Sequence, residues 1–144
     1  MKIIYVLIIS IFCTSVSCVS NQNLNNNQKQ ITQTEIFIKY DGVYFIPYGG
    51  GFSNDYLRFF ENGKVINVNS TGSPAQIKNW FNYKNENVGK GEYFIEGNSI
   101  SFTTVFEEIS IEYIGVIGSN GLLLNAHSSN GAEINGLLFV FYQW

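Results

Sequence analysis

From Asp41 onward the chain alternates apolar and polar residues with a period of two, and Gly- and Asn-rich punctuation interrupts the alternation at short, regular intervals. That is the pattern of half-buried strands joined by tight turns. Asp41 to Tyr48 reads as a first strand, stopped by Pro47, which lacks an amide donor, and by Gly49-Gly50-Gly51. Tyr56 to Val68 predicts a hairpin turning at Asn62-Gly63, because both residue types accept the positive φ that a two-residue type I′ turn requires. Such a turn places Leu57 and Phe59 on one face, with Ile66 and Val68 on the matching face of the return strand. Gly91 to Glu96 and Ser99 to Thr104 form a second hairpin around Gly97-Asn98. Ile109 to Ile117 is the longest strand, and Asn120-Gly121 turns it into Leu122 to His127. Ser128 to Asn135 reads as a polar loop. Gly136 to Trp144 is apolar on both faces, as suits a seam strand that pairs with the first.

The period changes once. Ser73 stands where a helix N-cap should be, Pro74 at the first helical position, and Ile77, Trp80 and Phe81 recur at helical spacing, so a short helix is expected over 74–82. About eight strands and one helix predict an all-β, antiparallel up-and-down barrel, since closure removes exposed edges. An open sandwich is the alternative. The helix should cover an end or flank of the sheet.

The N-terminal third follows other rules. Lys2 precedes an apolar run, Ile3 to Phe12, too short to span a bilayer as a permanent helix, and Thr14-Ser15-Val16-Ser17-Cys18 follows it. This resembles a bacterial lipobox, so residues 1–17 are expected to be a signal peptide, with Cys18 receiving a diacylglyceryl group. A plain secretory leader cut near Ser17 is the alternative. Residues 19–33 are polar and of low complexity, a flexible tether, and residues 18–40 as a whole are assigned to the lipidated cysteine and its spacer. The domain proper is taken as 41–144. The expected location is the bacterial cell envelope, anchored by lipid at the outer membrane, or secreted or periplasmic if unlipidated. Cys13 leaves with the leader, so no disulfide can form within one mature chain and packing alone must hold the domain.

Composition narrows the partners. Eight basic and eleven acidic residues become seven against eleven once Lys2 is removed. There is no basic run, which argues against nucleic acid. The expected partners are the membrane, reached through the lipid, and a small apolar ligand or an envelope protein.

Asp41-Gly42-Val43-Tyr44, Tyr56 to Ile66, Ser70-Thr71-Gly72, Ile77, Trp80-Phe81, Gly91-Glu92-Tyr93 and Asn120 to Leu124 together resemble small bacterial lipoproteins with a lipocalin-like, calycin-type domain. The resemblance implies a barrel fold and an envelope location. It implies no site residue, and the Gly-x-Trp signature of lipocalins is replaced here by Gly42-Val43-Tyr44.

Candidate chemistry is sparse. His127 has no nearby His, Cys or carboxylate cluster in sequence, Glu107-Glu108 are neighbours that should point apart, and Ser53 and Ser128-Ser129 lack an activating base. Gly49-Gly50-Gly51 lacks the following helix of a phosphate loop. No catalytic residue, metal site or cofactor is expected. Twelve Phe, nine Tyr and two Trp are the informative group. Either large rings fill the barrel, or Tyr44, Phe59, Tyr93, Phe102, Tyr113 and Phe139 leave an apolar ligand pocket between them, with Arg58 or Trp80 near its mouth. The leading expectation is a non-catalytic binding protein. The alternative is a protein-interaction module, a hydrolase inhibitor or surface adhesin, using the Gly49–Asn54 and Ser128–Asn135 loops.

Overall fold

The computed structural model describes residues 37–47 and 53–144. The leader, Cys18, residues 19–36 and the Gly49–Gly51 loop lie outside them. Eight strands form: β1 (Gly42–Phe45), β2 (Asn54–Phe59), β3 (Lys64–Ser70), β4 (Gly89–Glu96), β5 (Ser99–Phe106), β6 (Ile109–Gly118), β7 (Gly121–Ser128) and β8 (Glu133–Gln143). Each pairs antiparallel with the next, and β8 returns to β1 from Gly42↔Gln143 to Phe45↔Val140, closing an up-and-down barrel. Inward Gly91 and Gly115 let neighbouring strands crowd together. A Cβ at these positions would fall 1.9 Å from the Thr103 carbonyl oxygen and 2.0 Å from that of Leu123. Glycine at such points lets a closed sheet bend sharply.

The β2–β3 turn departs from the sequence expectation, and the departure has wide consequences. Gly63 has φ +80°, whereas Asn62 does not enter the positive-φ region. The Gly63 amide donates to the Phe60 carbonyl at 3.1 Å and the Phe60 amide to the Lys64 carbonyl at 2.9 Å. This is a three-residue turn with glycine in a G1 bulge, not a two-residue type I′ turn. The extra residue shifts the register by one, so Phe59 pairs with Val65, Arg58 with Ile66 and Tyr56 with Val68. Because side chains alternate, a one-residue slip sends a whole strand face to the other side. Ile66 and Val68 therefore share a face with Tyr56 and Arg58, opposite Leu57 and Phe59.

Two cores result. Inside the barrel, Leu57, Phe59, Val65, Ile100, Phe102, Tyr113, Leu124 and Phe139 are among the buried residues. Outside it, Val43, Tyr56, Ile66 and Val68 are covered by Ile77, Phe81 and Val88 from the long β3–β4 connection. The expected helix over 74–82 is only a 3₁₀ turn at Lys78–Trp80. A first turn does start where the cap signal placed it, with the Ser73 carbonyl accepting the Ile77 amide at 3.2 Å and the Ser73 amide donating to Gln76 Oε1 at 2.7 Å. It does not propagate. Asn82 and Asn85 side chains accept the amides of Lys84 and Asn87, and Asn85 Nδ2 donates to the Trp80 carbonyl. Asparagines offering the backbone such local bonds compete with a helix. Ile77 and Phe81 are buried while Trp80 stands 46% exposed, so the cover presents two apolar anchors where three were expected. The hydroxyls of Tyr56, donating to the Gly72 carbonyl, and of Tyr83, donating to the Gly91 carbonyl, fasten its two ends to the barrel.

One barrel end receives the chain from the N-terminal side. There Ile38, from the stretch counted with the tether, is buried in the inner core, and the Lys39 amide donates to the Tyr44 hydroxyl at 2.8 Å. The other end carries the β1–β2, β3–β4, β5–β6 and β7–β8 connections. The last is shorter than the expected Ser128–Asn135 loop, since β7 runs to Ser128 and β8 begins at Glu133.

Candidate functional site at the barrel end

The six aromatic residues singled out from sequence come together as one connected set inside the barrel. Phe59 is the hub, its ring meeting those of Tyr44, Tyr93 and Phe102 edge-on at 5.7, 5.2 and 5.3 Å. Phe102 stacks on Tyr113 at 4.7 Å, and Tyr113 meets Phe139 at 6.5 Å. Five of the six are at most 4% exposed, and Tyr93 is partly buried. At this level the rings pack against one another. Burial raises the Tyr44 hydroxyl pKa to about 12, and it raises that of Tyr93, whose hydroxyl donates to the Phe60 carbonyl at 2.9 Å and lies 3.2 Å from the Tyr40 hydroxyl. Arg58, expected near a pocket mouth, stands on the outer face because it alternates with Leu57 and Phe59. Trp80 belongs to the outer cover.

Open space lies at the end bearing the longer connections, where a cleft of about 320 Å³ is lined by Asp55, Asn67, Asn69, Thr104 and Ile111 among others. None of the six aromatic residues lines it. Its side chains follow from register. Asp55 continues the inward set of Leu57 and Phe59, and Asn67 and Asn69, paired with Leu57 and Asp55, continue that of Val65. Thr104 continues Ile100 and Phe102 on β5, and it is the one buried polar side chain among the described residues, at 2% exposure. Ile111 continues Tyr113 on β6. Val88, Phe106 and Ile109 add apolar surface, and Asn87 adds a further amide.

The chemistry of this lining is mixed. Asn69 Nδ2 donates to Asp55 Oδ1 at 2.7 Å, which orients the carboxylate, and Asp55 makes no ion pair among the described residues. Asn67 Nδ2 reaches the Tyr56 carbonyl only at 3.4 Å. A ligand would meet a carboxylate and several amides together with apolar side chains. The volume sits at the low end of small-molecule sites. The adjoining β5–β6 turn carries the only non-glycine residue of positive φ among those described, Glu107 at 52°. Glu107 and Glu108 are both exposed.

His127 lies elsewhere, on the outer face of β7. Its Nδ1 is 3.1 Å from Glu133 Oε1 across the β7–β8 ladder, and both side chains are more than half exposed. Ser129 is engaged structurally, with its Oγ accepting the Ser110 amide. The described residues contain no group of three or more His, Cys, Asp and Glu arranged to hold a metal.

Asn67 and Asn69 were missed through the β2–β3 register, whereas Asp55 and Thr104, which share a face with Leu57 and with Phe102 in either register, were missed because a lone polar residue at a strand's end carries no signal of its own. In a two-residue turn register Asn67 and Asn69 face solvent, where asparagines need no explanation. For the two asparagines the alternation was the available signal, and it becomes readable only once the bulge is counted. Compared with known proteins, the chain matches no family model, no curated protein and no solved structure.

Proposed function

We propose that this protein is a non-catalytic, envelope-anchored binding protein that takes a small amphipathic ligand at the open end of its barrel. The observation that carries this reading is the cleft of about 320 Å³ lined by apolar Phe106, Ile109 and Ile111 together with the amides of Asn67 and Asn69 and the Asp55 carboxylate, which accepts from Asn69 and has no ion-pair partner among the described residues. The purely apolar ligand expected from the aromatic content is thereby narrowed to one with a hydrogen-bond-donating end, a hydroxyl or ammonium group, for Asp55. Lipidation at Cys18 and the lipocalin-like character are proposed on the leader and pattern described above.

Native mass spectrometry of the full-length protein extracted from the envelope tests both halves. The expected spectrum shows a chain beginning at Cys18 with its lipid, and a small adduct that Ile111→Trp, by filling the cleft, removes. An adduct unchanged in Ile111→Trp would contradict the site, and a chain without lipid would contradict the anchor.

A protein-interaction role is the second reading, favoured by one feature. Val116, Leu123 and Leu138 stand opposite one another on β6, β7 and β8, pointing outward and 38%, 49% and 54% exposed. Contiguous exposed apolar surface of this kind marks protein contacts.

A further inference from the structure

The outer face near the chain's entry carries an alternation of cations and aromatic rings. Lys78 Nζ lies 5.4 Å from the Trp144 ring centre, and the Arg58 guanidinium 5.9 Å from the same ring and 4.9 Å from that of Phe60. Phe60 meets Tyr83 at 5.9 Å, and Lys64 Nζ sits 5.2 Å from Tyr83. Lys64 also pairs with Glu92 at 3.4 Å, so that end is neutralised. Arg58 and Lys78 make no ion pair among the described residues. Arg58 is partly desolvated, which lowers its pKa, and its Nε is buried without an acceptor, as is the neighbouring Trp144 Nε1. A half-buried guanidinium without a counter-ion gains when an anion arrives, because part of its hydration is already lost.

The rings beside these cations are of the interfacial kind. Tyr142, 40% exposed, meets Trp144 at 6.2 Å, and Trp80, 46% exposed, belongs to the same 3₁₀ turn as Lys78. Tryptophan and tyrosine with adjacent Arg and Lys are the residues that settle at the headgroup level of a bilayer. The Trp144 amide donates to the Asp41 carbonyl at 3.1 Å, so the chain arriving from the N-terminal side joins the barrel beside this ladder. Beside Trp144 the Asp41 carboxylate accepts from Gln143 Nε2 at 2.6 Å, and Glu92 is the carboxylate paired with Lys64.

We propose that the Arg58–Trp144–Lys78 face docks on an anionic phospholipid surface, the two cations meeting headgroup phosphates while Trp144, Trp80 and Tyr142 enter the interfacial layer. The proposal rests on the envelope reading, which places the barrel beside a bilayer, and is independent of the cleft. An anchor through Cys18 would hold the face at high effective concentration, so a weak surface affinity suffices.

The chain's two tryptophans, Trp80 and Trp144, report directly on this face. The full-length protein, its N-terminal mass measured first, is added to vesicles of phosphatidylcholine alone or mixed with phosphatidylglycerol, with brominated acyl chains as quencher. Blue-shifted and quenched tryptophan emission is expected on the anionic vesicles and not on the zwitterionic ones, reversed by high salt. Lys78→Gln should weaken the response several-fold and Arg58→Gln with Lys78→Gln about tenfold, whereas exposed Lys84→Gln should not. Lys78 is exposed, so its variant remains informative even if Arg58→Gln impairs folding. Unchanged emission on anionic vesicles, with the Cys18 lipid present by mass, would overturn the docking face and leave the anchor standing. A phosphatidylglycerol-dependent response from a chain without lipid would support the face and remove the anchor. A shift reproduced by inorganic phosphate in solution, with no quenching by brominated lipid, would make this a soluble-phosphate site and overturn the bilayer proposal.

Discussion

The inner and outer cores of this barrel share strands β1, β2 and β3 and differ in what closes them. Inside, the sheet closes on itself, and rings from β1, β2, β4, β5, β6 and β8 fill the space around Phe59. Outside, Tyr56, Ile66 and Val68 are shielded by a connection with almost no regular structure, anchored by Ile77, Phe81 and Val88. Cross-strand pairing secures the first, and a few side chains and two tyrosine hydroxyls secure the second. The difference shows how a barrel can bury both faces of a strand. It also separates roles, since the inner core fills the barrel beneath the open-end cleft, while the outer one braces the β2–β3 register that turns Asn67 and Asn69 inward beside Asp55.

Mutations can grade the two cores against each other. The largest loss is expected for Phe59→Ala, about 3–5 kcal/mol, because one truncation removes three ring contacts and leaves a cavity. Denaturant midpoints at constant m-value measure it. Ile66→Ala, at a fully buried position of the outer core, should cost about 2–5 kcal/mol. A loss near zero there would show that residues 71–88 rest on the barrel only loosely. Gly63→Ala should cost about 1–2 kcal/mol, since φ is +80° and no atom within 4 Å adds a steric term, so the loss is purely conformational.

Much of this was legible in the sequence. The alternation, the Gly97-Asn98 turn and the doubly apolar β8 sufficed for a closed eight-stranded barrel with β8 at the seam, and the structure has that topology. The turn at residues 60–64 was misread because Asn62-Gly63 is compatible both with a type I′ turn and with a type I turn followed by a glycine bulge. Only tertiary packing, burying Ile66 and Val68 under Ile77 and Phe81, chooses between them. The helix over 74–82 failed for a related reason, as its asparagines found local partners and its anchors found a sheet. At the open-end cleft, Asn67 and Asn69 inherited the register error. The aromatic cluster did not, since Tyr44, Phe59, Phe102, Tyr113 and Phe139 all fall inside on simple alternation.

The smallest effect at neutral pH and a selective one at alkaline pH comes from the buried tyrosines. Burial raises the Tyr44 pKa to about 12, so folding favours the protonated phenol. The corresponding stability is complete below the unfolded value near pH 10 and is lost as pH rises from about 10 toward 12. Tyr93 is shifted the same way. Thermal melts across this window should fall more steeply for the wild type than for Tyr44→Phe. The outer core contributes Tyr83, raised chiefly by burial and then by Glu92, so Tyr83→Phe should blunt the same limb.

The one-residue bulge at Gly63 can be examined most directly by methyl–aromatic NOEs in labelled protein. The Ile66 methyls should show contacts to the outer set, among them Ile77 and Phe81, and the Leu57 methyls to the inner rings. Ile66 contacts to Phe59 or Phe102 would contradict the register, and with it the inward placement of Asn67 and Asn69.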